Sequence, residues 1–188
     1  MADQLNVLVI CGSLRKGSYN AALTRALPAL APPEMKLITA PTIGTFPLYN
    51  ADVQDSSGFP GPAEELAAAI RAADGVLFVT PEYNWSMPGV LKNAIDWVSR
   101  MKNQPFEGKS VAIQSASQGP LGGARMQYHW RMSMTFLKAY IFGTPEIFVG
   151  SAASKFDKNT LELTDQPTKD IAKQQLAAFA KFIEKMKR

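Results

Sequence analysis

The chain has one cysteine, Cys11, and one histidine, His129. A single thiol excludes an intrachain disulfide and a cysteine-based metal site, and a solitary imidazole excludes both a Ser-His-Asp triad and a histidine metal site. Cys11 falls in an apolar run, where a buried, inert thiol is expected. Charge is also sparse: 20 Lys and Arg against 16 Asp and Glu leave +4 on 188 residues. The cations are scattered over loops and the last helical stretch, which favours a small anionic ligand weakly and argues against nucleic acid. No apolar run approaches the ~18 residues of a membrane span, and Met1-Ala2-Asp3-Gln4 carries no basic start. A cytoplasmic protein without membrane insertion is expected. Two phosphate fingerprints are missing as well, G-x-x-x-x-G-K-[ST] and G-x-G-x-x-G, so neither a nucleoside-triphosphate loop nor the usual dinucleotide turn is present. There are no internal repeats. An apolar fraction of 46% is ordinary, and the length suits one domain, residues 1–188, burying roughly 70% of its unfolded surface.

What is present begins at Leu5. The run Leu5 to Cys11 is nearly all apolar, as a strand covered on both faces requires. It leads into Gly12-Ser13-Leu14-Arg15-Lys16-Gly17-Ser18-Tyr19-Asn20, and a helical pattern follows. A helix start presents unpaired N–H groups and the positive end of a dipole. Ser13, Ser18 and Asn20 add donors, and Arg15 adds a planar fork, so the stretch reads as an anion cradle suited to a terminal phosphate. An ordinary polar turn with Ser18 or Asn20 as helix cap is the competing reading.

Further strands are expected at 35–39, 76–80, 111–116 and 147–149, alternating with helical patterns at 21–30, 63–73, 90–98, 124–140 and from Pro167 onward. Pro28 should bend or end the first helix. The Pro41 to Pro62 connection reads as a long loop without regular structure, and Lys155 to Pro167 as a polar hairpin or loop. Alternating strands and helices imply a doubly wound α/β/α sandwich around a five-stranded parallel sheet. With order 2-1-3-4-5, the loops after strands one, three and four meet at one end of the sheet, where such folds bind ligands. The second of these loops is Pro81-Glu82-Tyr83-Asn84-Trp85-Ser86, and the third Ser117-Gln118-Gly119-Pro120-Leu121-Gly122-Gly123. An anionic cradle beside loops with free amides, glycines and aromatics fits a ligand with a phosphate end and a flat polar ring, such as riboflavin phosphate. Tyr83 and Trp85 either cover an aromatic face or pad the loop against its surroundings. Glu82 reads as a proton donor or, with more physical support, a carboxylate answering a helix dipole.

The segment T-P-E-Y-N-W-S-M-P-G-V-L-K-N-A-I-D-W at Thr80 to Trp97, with G-S-L-R-K-G-S-Y-N before it and S-Q-G-P-L-G-G after it, resembles the NAD(P)H-dependent FMN reductases, most closely their bacterial chromate/quinone reductase branch. The likeness runs from Leu5 to Val149. It implies a flavodoxin-like fold, bound FMN, NADH or NADPH as co-substrate, and a homodimer or homotetramer. Ser13, Arg15, Ser18, Tyr19 and Asn20 fall on the phosphate loop. Pro81, Glu82, Tyr83, Asn84 and Ser86 fall on the isoalloxazine loop, and Ser117, Gln118, Gly119, Gly122 and Gly123 on the third. The implied reaction passes hydride from NAD(P)H to FMN and two electrons onward to a quinone, free flavin, ferric chelate or chromate. FMN carries that chemistry, so no catalytic side chain is required. A flavodoxin-type electron carrier without nicotinamide turnover is the alternative, and a flavin-free scaffold on the same fold a further one. Arg125, Tyr128 and Glu146 suit a subunit interface or an exposed polar helix face, and His129 a helix surface.

Overall fold

The computed structural model describes residues 4–187. In chain order the elements are β1 (Leu5–Cys11), α1 (Tyr19–Ala26), a 3-10 turn (Leu27–Leu30), β2 (Met35–Thr39), α2 (Ala51–Ser57), α3 (Gly61–Ala72), β3 (Gly75–Val79), α4 (Gly89–Ser99), β4 (Ser110–Ala116), α5 (Ala124–Phe136), β5 (Tyr140–Ile141), β6 (Ile147–Val149), a second 3-10 turn (Ala152–Ser154) and α6 (Gln166–Met186). The sheet order is β2-β1-β3-β4-β5, with β6 also on β4, and every pairing is parallel. This is a flavodoxin-like fold, and the order expected from sequence holds.

The side-chain alternation of β1 divides the core. Leu5, Val7 and Val9 pack with α1 and α6 through Leu23, Leu176 and Phe179, while Leu8 and Ile10 pack on the opposite face with Leu66, Ile95 and Trp130 of α3, α4 and α5. β3 and β4 are buried along their whole lengths, which explains their unbroken apolar character.

Four expectations are corrected. The fifth strand position is filled by two short pieces: β5 pairs with Ser110 and Val111, and β6 pairs with Gln114 to Ala116. Pro145, between them, has no N–H to offer a ladder, and its carbonyl accepts instead from Gln175 Nε2 at 2.8 Å. α5 ends at Phe136 rather than near Tyr140, because Lys138 turns into the left-handed region at φ 58° and Tyr140 pairs with the sheet. The 41–62 segment contains α2, capped by Asn50, whose side chain accepts from Asp52 N. Cys11 is half-buried rather than sealed in the core, with Sγ 3.7 Å from Ser13 O. Elsewhere the reading matches: Pro28 lies in the 3-10 turn that ends α1, and an antiparallel bridge joins Phe156 and Leu163.

At the opposite end of the sheet from the loops of interest, Asp74 Oδ2 accepts from Asn6 N at 2.7 Å and Oδ1 pairs with Lys187 Nζ at 2.5 Å. Burial pushes the Asp74 carboxyl up, but Lys187 and the Asn6 N–H outweigh it and hold the group below its ordinary 3.8. A carboxyl more acidic in the folded chain stabilises above the unfolded value, and that contribution is lost as pH falls through the folded value. Wild type and Asp74→Asn should therefore differ in melting temperature at neutral pH and converge as the pH drops below 3.8. Thermal melts of both proteins against pH test this; a constant gap down to pH 2.5 would contradict it.

Candidate functional site

Three loops meet at the carboxyl end of the sheet. Gly12 allows the first two to approach: a Cβ there would overlap the Thr80 side chain at the end of β3, and Gly12 N donates to Val79 O at 2.9 Å. The space between the loops is a cleft of about 170 Å³ lined by Ser13, Arg15, Ser18, Tyr19, Asn20, Pro81, Glu82, Tyr83, Ala116, Ser117 and Gln118. Ten of the residues singled out from sequence are thus brought together. Asn84, Ser86, Gly119 and Gly122 are not on the cleft wall, and they shape the loops that form it.

The first loop has the chemistry of an anion cradle. Ser18 caps α1, its Oγ accepting from Asn20 N at 3.2 Å and Ala21 N at 3.3 Å, which leaves the hydroxyl proton free to be donated. Among the described residues, the N–H groups of Ser13, Leu14, Arg15, Lys16, Gly17 and Tyr19 have no acceptor, and Arg15 has no carboxylate partner. Unpaired amides at a helix start beside an unpaired guanidinium are what a phosphate monoester requires. Asn20 has a further role. Its Nδ2 donates to Ala116 O and its Oδ1 accepts from Ala116 N, both at 2.9 Å, so it clamps α1 to the end of β4 and retains one N–H for a ligand. Tyr19 packs its ring on Phe156, centroids 5.3 Å apart.

The second loop is a two-residue hairpin. Tyr83 and Ser86 exchange backbone bonds at 2.9 Å in both directions, and Asn84 and Trp85 at the tip have φ of 49° and 66°. Positive φ at both central positions defines the tight turn that matches strand twist, and Asn is favoured there. Tryptophan is not; a bulky side chain in this region costs about 1–3 kcal/mol. Trp85 is nonetheless 63% exposed, with the Arg125 guanidinium 4.3 Å from its ring centroid. His129 Nδ1 lies 3.3 Å from Ser86 Oγ, so α5 holds the hairpin at two points.

Glu82 answers a helix dipole, that of α5: its Oε2 accepts from Met126 N at 3.1 Å, in the first turn. Removing it in Glu82→Ala should cost about 1 kcal/mol and Glu82→Gln only a few tenths, read by urea unfolding of the flavin-free chain. Equal losses would show that charge rather than the hydrogen bond stabilises the turn.

The third loop is shaped by close approach. Gly122, at φ 60°, would place a Cβ 2.5–2.7 Å from the backbone of Phe148 to Gly150, and a Cβ on Gly123 would meet Ser115 at 2.8 Å. Ser115 Oγ donates to Gly122 O at 2.6 Å and accepts from the buried Gln127 Nε2 at 2.7 Å. Sequence reasoning missed this Ser115–Gln127 support and the Asn20 clamp. Two amides on helices, Asn20 on α1 and Gln127 on α5, were the only signal, and nothing local names their partners, which lie 96 and 12 residues away. Ala116, also on the cleft wall, has no polar side chain to mark it.

A flavodoxin-like sheet with a phosphate cradle, a polar hairpin and a glycine loop at its carboxyl edge defines a flavoprotein of the FMN-binding class. Residues 5–154 match the NADPH-dependent FMN reductases, and the chain belongs to that family. It is 50% identical to a quinone reductase of Escherichia coli strain K12 and 46% identical to an NAD(P)H-dependent FMN reductase of Pseudomonas aeruginosa, in each case over 187 residues and the full length of both chains. Among solved structures it resembles FerB of Paracoccus denitrificans, a flavoenzyme NAD(P)H:(acceptor) oxidoreductase, at 33% identity and a TM-score of 0.85, covering 97% of this chain and 98% of that one. Membership makes the chain an oxidoreductase with FMN as cofactor and a nicotinamide nucleotide as reductant, and the donor set of the first loop fits the phosphate of that cofactor.

Proposed function

We propose that the cleft holds FMN with its phosphate in the Ser13–Asn20 loop, and that the chain reduces quinones at the expense of NADH or NADPH. The unpaired amides, hydroxyl and guanidinium gathered at the α1 start are the observation that carries this reading. FMN bound there would supply the redox chemistry, hydride acceptance from the nicotinamide and electron-pair transfer to the acceptor. The residues here bind and orient. Ser13, Arg15, Ser18, Tyr19 and the loop amides take the phosphate, Asn20 fixes α1 against β4, and Pro81 to Tyr83 with Ser117 and Gln118 supply backbone polar groups for the ring edge. Free flavins, ferric chelates and chromate are further acceptors in this proposal, since a reduced flavin in an open cleft reacts broadly.

The visible spectrum of the purified protein, before and after anaerobic addition of NADH or NADPH, tests the reading. Flavin bands should bleach and return with a quinone. Bands that persist would indicate a flavodoxin-type electron carrier, and a colourless protein that does not reload with FMN would refute the cleft assignment.

The proposal extends to assembly and location: one domain over residues 1–188, cytoplasmic, as a homodimer or homotetramer. Met132 and Phe136 on α5 are 64% and 83% exposed and border a groove completed by Ile95 of α4 and Arg100 at its C-terminal cap. Apolar exposure of that kind on adjacent helices suits a second copy of this chain. Phe136→Glu should lower the mass measured by light scattering; an unchanged mass would remove this face from the interface. Among the described residues no helix is long and apolar enough to cross a membrane.

A further inference from the structure

We propose that Gln127, buried on α5, is a positioning residue for the flavin ring: acting through Ser115, it fixes the glycine loop that offers donors to the ring edge, and so raises the reduction potential of the bound cofactor. The inference rests on the reading of the cleft as the FMN site.

Gln127 and Ser115 are fully buried. A buried amide costs stability unless its polar groups are paired, so the pairing that Gln127 does make is informative. Both N–H groups of Nε2 are used: one donates to Ser115 Oγ and the other to Ile147 O, each at 2.7 Å. Oε1 is buried without a partner among the described residues. Turning the amide over would set Oε1 against the Ile147 carbonyl, acceptor against acceptor, so that carbonyl fixes the orientation. Held in this way, the amide donates to Ser115, and the Ser115 proton is left to Gly122 O, 2.6 Å away. The direction of the whole hydrogen-bonded chain is thus set in the core. An apolar side chain at 127 would leave the Ser115 hydroxyl free to rotate.

The far end of that chain is the cleft. Gly122 N donates in turn to Gly119 O at 3.4 Å, and the same carbonyl accepts from Ser117 Oγ at 3.2 Å. Ser117 and Gln118, between that carbonyl and the end of β4, are on the cleft wall, and the N–H of Gln118 has no acceptor among the described residues. The β6 side has a separate anchor, since Gln175 Nε2 donates to Pro145 O at 2.8 Å. Loss of Gln127 therefore leaves the strand in place and is felt at the loop. Reduction puts negative charge on the pyrimidine edge of a flavin, so a donor held at that edge binds the reduced form more tightly than the oxidised one.

The test compares wild type, Ser115→Ala, Gln127→Met and the double variant. Three quantities are measured: dissociation constants for FMN and riboflavin, the midpoint potential of bound FMN, and the melting temperature of the flavin-free chain. Each single variant should weaken FMN and riboflavin by the same factor, about two- to tenfold, the span of one neutral hydrogen bond, because the glycine loop meets the ring and not the phosphate. Reduced FMN should lose up to about tenfold more, which lowers the midpoint by up to ~30 mV. Since the two residues act in series, the double variant should be no worse than the poorer single one. Unchanged flavin affinity and potential beside a lowered melting temperature would make Gln127 a packing residue only, and additive losses in the double variant would separate it from Ser115; either result overturns the proposal. Should Gln127→Met fail to fold, Ser115→Ala carries the same test, and an unchanged potential there overturns the proposal as well. Wild type that binds neither flavin would refute the cleft reading itself, and this proposal with it.

Discussion

Arg15→Ala is expected to raise the dissociation constant for FMN by about ten- to a hundredfold while changing that for riboflavin much less. A guanidinium contributes ~1.5–3 kcal/mol through a charge-assisted hydrogen bond, and each 1.4 kcal/mol is a factor of ten. Arg15 is exposed in the chain described here and has no carboxylate partner among the described residues, so removing it sacrifices no folded-state ion pair. Stability without flavin should stay within about 0.5 kcal/mol of wild type, which separates a binding defect from a folding defect. Riboflavin, lacking the phosphate, is the internal control. Titrations of both flavins by fluorescence quenching decide the matter: equal losses would move the phosphate away from this loop, and unchanged FMN affinity would remove Arg15 from the site.

The second large effect is on stability. Trp97→Ala should destabilise the chain by about 3–5 kcal/mol, the usual cost of emptying a buried aromatic site. In a protein of this size that corresponds to a melting temperature lower by roughly 6–20 °C. Trp97 is fully buried on α4 and is the anchor for the 41–62 segment. Its Nε1 donates to Pro47 O at 2.9 Å, and Tyr49 and Phe59 meet its ring edge-on at 5.0 and 6.4 Å. Asn93, one turn earlier, donates to the same carbonyl and accepts from Tyr49 N. Trp97→Phe keeps most of the packing and loses the hydrogen bond, so a smaller loss of about 1 kcal/mol is expected. Calorimetry on both variants separates the two contributions. A small loss in Trp97→Ala would mean that the segment closes over the vacated volume.

That anchoring shows why the 41–62 stretch resisted reading from sequence. Four prolines and three glycines in it mark a chain without regular periodicity, which is correct for most of its length. Its order comes from α4, some fifty residues away, through contacts that leave no local pattern. The divided fifth strand is similar. Ile147-Phe148-Val149 is apolar and short enough to be recognised, whereas Tyr140-Ile141 is strand only because it pairs with Ser110 and Val111, the part of β4 that β6 does not reach.

Local chemistry, by contrast, was legible. Strands β1, β3 and β4 announce themselves because burial on both faces demands apolar residues throughout, and Ser18 announces the α1 start because helix ends require a cap. The three loops were recognisable because hydroxyls, cations, glycines and free amides are gathered directly after strands, where an α/β sheet leaves room for a ligand. The sequence by itself therefore determined the sheet order, the family and most of the residues that line the cleft. Only the tertiary structure decided how the recognised residues divide their work. Asn20 clamps α1 to β4, Glu82 caps α5, Gly122 admits the backbone of 148–150, and Arg125 rests on Trp85 with no carboxylate partner among the described residues. Each of those roles depends on a partner distant in the chain, and a hydrogen bond or a close approach acts across space, where the spacing of residues along the chain carries no record of it.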